Sequence, residues 1–187
     1  NSSLEASLFD DNVDVSVYNN LIDTVHKRLD ALHRYVSVKK RLLGLDEMHM
    51  YDLYVPLIQE YDRRFTYEEA VDLVLEGLKP LGDEYINLLK KGFSSRWIDV
   101  YENRGKTSGA YSWGAYGVHP YVLLNFQGTI NDVFTIAHEM GHSLHTYYSN
   151  AEQPYVYASY KIILAEVAST CNEAILMDYL LKNSTDR

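Results

Sequence analysis

The sequence predicts a mainly α-helical chain with a small β-sheet, an α+β fold, on three observations. Apolar residues recur at three- and four-residue spacing over long stretches, which is typical of packed helices. Two short segments in the second half, residues 110–116 and 121–126, are rich in aromatic and β-branched residues and read as strands. Turn-forming residues are densest at 103–109. We therefore expect an α-helical support region at 1–104 and a second region, packed as one unit, at 105–187.

The first region is predicted to open with a helical hairpin. Residues 2–14 are polar and acidic, so we expect them to fray or to begin a helix only late. Apolar residues from Val17 to Leu43 follow a helical period, and Gly44 is a suitable stop signal. A second helix, from Asp46 to about Ile58, would pack against the first.

Two further helices are predicted before the strands. Thr66 and Glu69 have the spacing of a capping box, which opens a helix to about Leu78. After a Pro and Gly break, another helix is expected to end at Gly92. Residues 94–101 are expected to form a short helix or a turn.

The strongest chemical signal is the run His138-Glu139-Met140-Gly141-His142. On a helix, residues four apart lie on one face, so both imidazoles can reach the same cation. Glu139 then faces the same cleft as a general base, and this pattern is typical of zinc hydrolases. The surrounding residues 131–148 read as one helix, with Asn131 or Asp132 as its N-cap.

A third ligand is needed because catalytic zinc is commonly held by three protein side chains. An apolar stretch from about Ala158 to Lys182 predicts a long, strongly apolar helix with two acids inside it, Glu166 and Glu173, on nearly the same face. A buried carboxylate is costly unless it is paired or bound to a metal. We therefore expect Glu166 to be the third ligand and Glu173 to orient a ligand histidine.

Two other side chains compete for the third position. Glu152 is a weaker candidate because it lies in a polar segment, although spacing alone does not exclude it. His145 shares the face of His138 and His142, but a fourth protein ligand would leave no position for water. His145 is therefore expected to be structural.

Three sequence runs resemble the oligoendopeptidase F family, in the thimet-oligopeptidase group of zinc peptidases. They are Gly109-Ala-Tyr-Ser-Trp-Gly114, residues 120–145 around the His-Glu-x-x-His motif, and Leu164-Ala-Glu-Val-Ala-Ser-Thr-Cys-Asn-Glu173. The resemblance implies the catalytic core of a zincin-like oligopeptidase with one zinc ion. It also implies His138, His142 and Glu166 as ligands, Glu139 as base, and no ligand role for His145.

The resemblance also carries expectations about what surrounds this chain. Members of the family are several times longer than the catalytic motif, and a downstream segment with His and Tyr contributes to substrate binding. This chain begins at Asn1 without an initiator Met and ends at Arg187. We therefore expect an internal fragment whose parent supplies further N- and C-terminal parts, so the fragment by itself is not assured of activity.

The expected substrates are short peptides. A peptide can add to a sheet edge through main-chain hydrogen bonds, and we expect the first strand to be that edge. The substrate-binding residues would be Ala110, Tyr111, Ser112 and Trp113. Two alternatives stay open, namely a non-catalytic or incomplete zinc-binding fragment and another zinc hydrolase that uses the same motif.

Composition narrows the possible partners. The 187 residues carry a formal net charge of -9 and no basic stripe, which argues against nucleic acid. No apolar span is long enough to predict a membrane helix. The single cysteine, Cys171, excludes an internal disulfide and fits a cytoplasmic protein. We expect Cys171 to be a small buried residue of the second long helix.

Overall fold

The computed structural model describes residues 2–57 and 63–183. Its contacts divide the chain into two compact units, Asn1–Tyr61 and Asp62–Arg187. The boundary expected after residue 104 falls inside the second unit, because helices on both sides of that point pack together. None of the helices in the described ranges combines the length and the hydropathy needed to span a membrane.

The first unit contains three helices, α1 (Ser3–Phe9), α2 (Val15–Lys27) and α3 (Leu29–Leu42). Helix α1 starts earlier than expected because Ser2 and Glu5 form a capping box at its first turn. The single helix predicted from Val17 to Leu43 is wrong. Arg28, with φ −115° and ψ 11°, separates α2 from α3.

The hairpin partner predicted from Asp46 is also wrong over the described residues. Only a short 3-10 helix, Met50–Tyr54, forms there, and Ile58 lies outside the described residues. This turn is fixed to α3 by the buried Lys39, whose Nζ donates a hydrogen bond of 2.6 Å to the Leu53 carbonyl.

The second unit contains four longer helices, α4 (Tyr67–Gly77), α5 (Asp83–Ser94), α6 (Ile130–Glu152) and α7 (Ile162–Asn183). The capping box predicted at Thr66 and Glu69 is confirmed at the start of α4. Helix α5 continues through Gly92 instead of ending there. A Cβ at Gly92 would lie 2.7 Å from the terminal methyl of Met140, so this glycine allows close packing.

A small mixed sheet lies beside these helices and consists of β1 (Ile98–Asp99), β2 (Tyr111–Trp113) and β3 (Tyr121–Leu123). Its order is β1-β3-β2, with β1 parallel and β2 antiparallel to β3. Strand β2 therefore occupies an edge, as expected for the first predicted strand. The helix or turn predicted at 94–101 is correct only at its start, where α5 ends and a turn follows at 95–96, because Ile98–Asp99 form β1.

Helix α6 is the centre of the second unit and packs against α7, α4, α5 and the sheet. Its inward side chains are almost completely buried, namely Val133, Ile136, Ala137, Met140 and Leu144. Thr129 caps the helix in a capping box with Asp132, so neither Asn131 nor Asp132 is the N-cap. The helix also continues beyond Tyr148 to Glu152.

Helix α7 begins at Ile162 rather than near Ala158, after a 3-10 turn at Tyr155–Tyr157. The helix is buried on one side only, so the premise that acids within its apolar run are buried is wrong. One side packs on α6 and α4, and the other exposes large apolar side chains, among them Ile163, Val167 and Leu181. The mainly α-helical architecture with a small sheet is confirmed.

Candidate metal centre

The expected ligands meet where α6 and α7 face each other. His138 and His142 project from successive turns of α6, and Glu166 approaches from α7. One ligand atom from each of the three lies within 4.8 Å of the other two. The two Nε2 atoms are 3.0 Å apart, and Glu166 oxygens lie 3.7 Å from His138 Nε2 and 3.8 Å from His142 Nε2.

These separations can be compared with those that a zinc ion requires. Ligand atoms bound at about 2.1 Å around a tetrahedral ion are roughly 3.4 Å from one another. The imidazole pair is slightly closer than this, and the carboxylate is slightly farther away. Two imidazoles and one carboxylate also match a donor set used by catalytic zinc. The three side chains therefore fit a zinc ion after small rotations.

Glu173 contacts the ring of His138. Its Oε1 lies 2.5 Å from His138 Nδ1. A carboxylate oxygen accepts hydrogen bonds, so the Nδ1 atom carries the proton and donates. The Nε2 atom then presents its lone pair to the interhelical space, which is the tautomer a metal ligand needs.

His142 is held neutral by its surroundings. Burial lowers the pKa of its imidazole, and the neighbouring His138 acts in the same direction. Glu166 and the backbone of Ala165 act against this shift. The Nδ1 atom of His142 is buried without a partner of hydrogen-bond geometry among the described residues. A neutral imidazole is the form that binds metal, so the ring is ready for coordination.

Glu139 lies on the same turn of α6 but in a more buried position, with 7% of its surface exposed. Burial raises the pKa of its carboxyl, and the nearby Glu166 raises it further, whereas His138 and the backbone of Ser112 lower it. Its Oε2 atom has no hydrogen-bond partner in the described structure. An unpaired buried acceptor is costly, so this oxygen is available for a water or substrate proton.

Glu166 is not buried, contrary to what the sequence had suggested, although the position of its carboxylate agrees with the expected ligand role. Its side chain is 48% exposed, because it lies at the edge of the α6–α7 contact and not inside it. Glu173 is similarly half-exposed, at 39%. Both acids are therefore partly accessible to solvent.

The competing residues lie elsewhere. His145 stacks on Tyr160, with ring centroids 4.2 Å apart, and burial lowers the pKa of its imidazole. Glu152 is the last residue of α6 and borders a different cavity. Neither belongs to the three-residue cluster. Cys171 is exposed on α7, so the expectation that it is buried is wrong.

A cleft of about 410 Å³ borders the cluster between β2 and the start of α7. His142 and Glu166 lie on its wall together with Ser112 and Trp113. On β2, Tyr111 and Trp113 are exposed, while Ser112 turns inward. The Ser112 hydroxyl is 2.8 Å from the hydroxyl of Ser143, the residue after His142. This contact fixes the edge strand to the helix that carries the two histidines.

Sequence reasoning missed several residues that build this region. Ser143 and Ser169 are completely buried, and Asn172 is 1% exposed. Asn172 joins α7 to α6, and the Ser169 hydroxyl donates to the Glu166 carbonyl and lies 3.3 Å from its Oε2 atom. The available signal was their polarity within apolar helices, since a buried polar side chain needs a partner.

Comparisons with known proteins agree with this arrangement. A family model described as peptidase family M3 matches residues 1–187. Oligopeptidase PepF of Bacillus subtilis is 52% identical over 185 residues, which are 99% of this chain and 28% of that protein. The chain therefore spans less than a third of that relative.

Two crystal structures share the fold. A protein from Chlamydophila abortus has a TM-score of 0.84 and 52% identity, and the match covers 100% of this chain and 31% of that one. The oligoendopeptidase-F of Enterococcus faecium has a TM-score of 0.59 and 35% identity, with coverages of 97% and 24%. Both similarities extend over almost the whole chain.

Proposed function

Because this chain belongs to peptidase family M3, we propose that it carries the zinc site of an endopeptidase that hydrolyses short peptides. The observation that carries the proposal is the convergence of His138, His142 and Glu166 within 4.8 Å, next to a buried glutamate with a free oxygen. His138 and His142 would bind the ion through Nε2, and Glu166 through its carboxylate. Glu173 would hold the His138 ring in place.

A bound zinc ion would act as a Lewis acid that polarises water and the scissile carbonyl. Glu139 would accept the proton of the attacking water and then pass it to the leaving amine. Its raised pKa supports this role, because a stronger base accepts a proton from water more readily. Its unpaired Oε2 atom leaves room for that transfer.

The substrate would bind along β2 as an additional strand. The strand is at an edge, and it borders the cleft beside His142 and Glu166. Main-chain hydrogen bonds from residues 110–113 would hold peptides of many sequences, because such bonds do not depend on side chains. The names of the relatives, oligopeptidase and oligoendopeptidase, support a peptide substrate.

A purely structural zinc site is the less favoured alternative. Structural zinc usually has four Cys or His ligands in a closed site. The cluster has three donors and an exposed carboxylate, and the free Cys171 is not among them. An open coordination position favours catalysis. A cytoplasmic location remains a prediction from cysteine usage.

The proposal can be tested in the full-length protein with Glu139→Gln. We expect this variant to bind one equivalent of zinc and to lose peptide hydrolysis by about 100-fold or more, since it removes the general base. His138→Ala is the matched variant, and it should lose zinc as well as activity. Near-normal hydrolysis by Glu139→Gln, or normal zinc content in His138→Ala, would contradict the proposal.

A further inference from the structure

Asn172 of α7 is buried, with 1% of its surface exposed, where this helix packs against α6. Its Nδ2 atom donates a hydrogen bond of 2.9 Å to the Ala137 carbonyl of α6. Its Oδ1 atom accepts a hydrogen bond of 3.0 Å from the Tyr85 hydroxyl of α5. Burial raises the pKa of Tyr85 to about 12, so its hydroxyl keeps its proton and donates. The buried amide is thus fixed at both ends by partners on different helices.

The position of this bond relates it to the metal site. Ala137 precedes His138, and Asn172 precedes Glu173, which accepts the hydrogen bond of His138. Two successive residues of α7 therefore hold two successive residues of α6. One bond would allow the helices to pivot or slide, whereas two adjacent bonds fix both their rotation and their register.

One turn farther along, the two backbones touch. A Cβ built on Gly141 would lie 2.7 Å from Ser169 Cα and 3.0 Å from the Ala168 carbonyl oxygen. Ser169 in turn donates to the Glu166 carbonyl at 3.1 Å. The contact between the helices therefore continues from the Asn172 bond to the residue that offers the third ligand.

We propose that Asn172, supported by Tyr85, is a positioning residue that sets the distance between the two imidazoles on α6 and the Glu166 carboxylate on α7. This inference rests on the proposed zinc site. Glu166 is the one ligand that comes from α7, and its side chain is half-exposed, so packing around the carboxylate does little to hold it. Its place relative to His138 and His142 depends on the helix that carries it. Loss of the Asn172 bond lets α7 shift and weakens zinc binding.

The test is the zinc dissociation constant of the full-length protein, measured by competition with a zinc-binding dye well below the melting temperature. Asn172→Leu has the same number of side-chain heavy atoms and a similar branched shape but loses both hydrogen bonds. We expect its Kd to rise about tenfold, as is usual for residues that orient metal ligands. Asn172→Asp keeps an acceptor for Tyr85 but loses the donor to Ala137, and it should weaken zinc binding as much.

Leu176→Ala is the matched control. Leu176 is completely buried on α7, one turn after Asn172, and it packs against Gly77 of α4. This variant should lower the melting temperature and leave the zinc Kd unchanged. Equal increases of Kd in Leu176→Ala and Asn172→Leu would overturn the proposal, because general loss of stability would then explain both. An unchanged Kd in Asn172→Leu would overturn it as well.

Two further results distinguish a misfolded variant and an absent zinc site from a wrong role for Asn172. If Asn172→Leu does not fold, Tyr85→Phe removes one hydroxyl from the same chain of hydrogen bonds, and we expect its Kd to rise about threefold. An unchanged Kd in that variant would then overturn the positioning role. If the unmodified protein binds no zinc, the result rejects the proposed zinc site itself, on which the inference about Asn172 rests.

Discussion

Helices α6 and α7 contribute to the same site but lie in different environments. Helix α6 is enclosed by α4, α5, α7 and the sheet, and its apolar side chains have almost no exposed surface. Helix α7 is buried on one side only, and large apolar residues such as Val167 and Leu181 are more than half exposed. The two histidines thus lie on a rigidly packed helix, while the position of Glu166, the proposed third ligand, depends on the contact between the helices.

Because of this difference, similar side-chain truncations on the two helices should lower the free energy of unfolding of the 187-residue chain by unequal amounts. Met140→Ala on α6 should lower the free energy of unfolding by about 2–5 kcal/mol, because Met140 is completely buried and a cavity would remain. Val167→Ala on α7 should change it by less than about 0.5 kcal/mol, since Val167 is 60% exposed. Urea denaturation measures both values. Similar losses of unfolding free energy in the two variants would contradict the difference in burial between α6 and α7.

The same two variants of the full-length protein would show whether the outer side of α7 is also exposed there. If parts of the parent beyond this chain cover the outer side of α7, Val167→Ala becomes more costly there, and Met140→Ala keeps its cost. An equal cost of Val167→Ala in both proteins would mean that this side of α7 is exposed in the parent too.

The close approach of the two helices gives a second prediction. Gly141→Ala should lower stability by about 1–3 kcal/mol, although alanine is intrinsically the better helix former, because the new methyl meets the Ser169 backbone. Gly92→Ala is the control, since its Cβ meets only side chains, the flexible end of Met140 at 2.7 Å and the Trp97 ring at 3.0 Å, and not backbone. Thermal unfolding should show a larger loss for Gly141→Ala. A stabilised Gly141→Ala protein would contradict the close contact.

The sequence predicted that His138, His142 and Glu166 come together, but it did not predict their environment. The four-residue spacing of His138 and His142 fixes their common face by helix geometry alone, so it predicts the pair reliably. Glu166 was assigned on the premise of a buried acid, and the structure shows a half-exposed one. Hydropathy shows that a helix can be buried, but it does not show which of its sides has a neighbour.

The other errors also concern interactions that a local pattern does not contain. The apolar period continues from Val17 to Leu43, and yet the chain breaks at Arg28. Strand β1 has only two residues and exists because β3 pairs with it from more than twenty positions away. The bond from Asn172 to Ala137 joins two helices, so no spacing rule within either helix could predict it.

The start of α6 offers a third test. Thr129 accepts a hydrogen bond from the Asp132 amide, and the Asp132 carboxylate accepts one from the Thr129 amide. Thr129→Ala should cost about 0.5–2 kcal/mol of stability, as the loss of an N-cap usually does. Thr135→Ala is a suitable control, because its hydroxyl bonds only within the helix, to the Asn131 carbonyl. An equal or smaller loss in Thr129→Ala would exclude Thr129 as the cap.

The smallest expected effect concerns Glu139 and pH in the zinc-free chain. Its pKa is raised in the folded state, so the folded protein binds more protons than the unfolded one above the ordinary value of 4.5. Stability is therefore lost as the pH rises through this window. Glu139→Gln does not titrate, so it should be more stable than the unmodified chain at neutral pH, and the difference should disappear below pH 4.5. A stability difference that does not change with pH would contradict the raised pKa.

An anomalous-diffraction map of the zinc-loaded full-length protein tests the central claim most directly. We expect one zinc peak between α6 and α7, with His138 Nε2, His142 Nε2 and a Glu166 oxygen at about 2.0–2.2 Å from it. A peak held by other side chains, or a Glu166 carboxylate turned away from the ion, would contradict it.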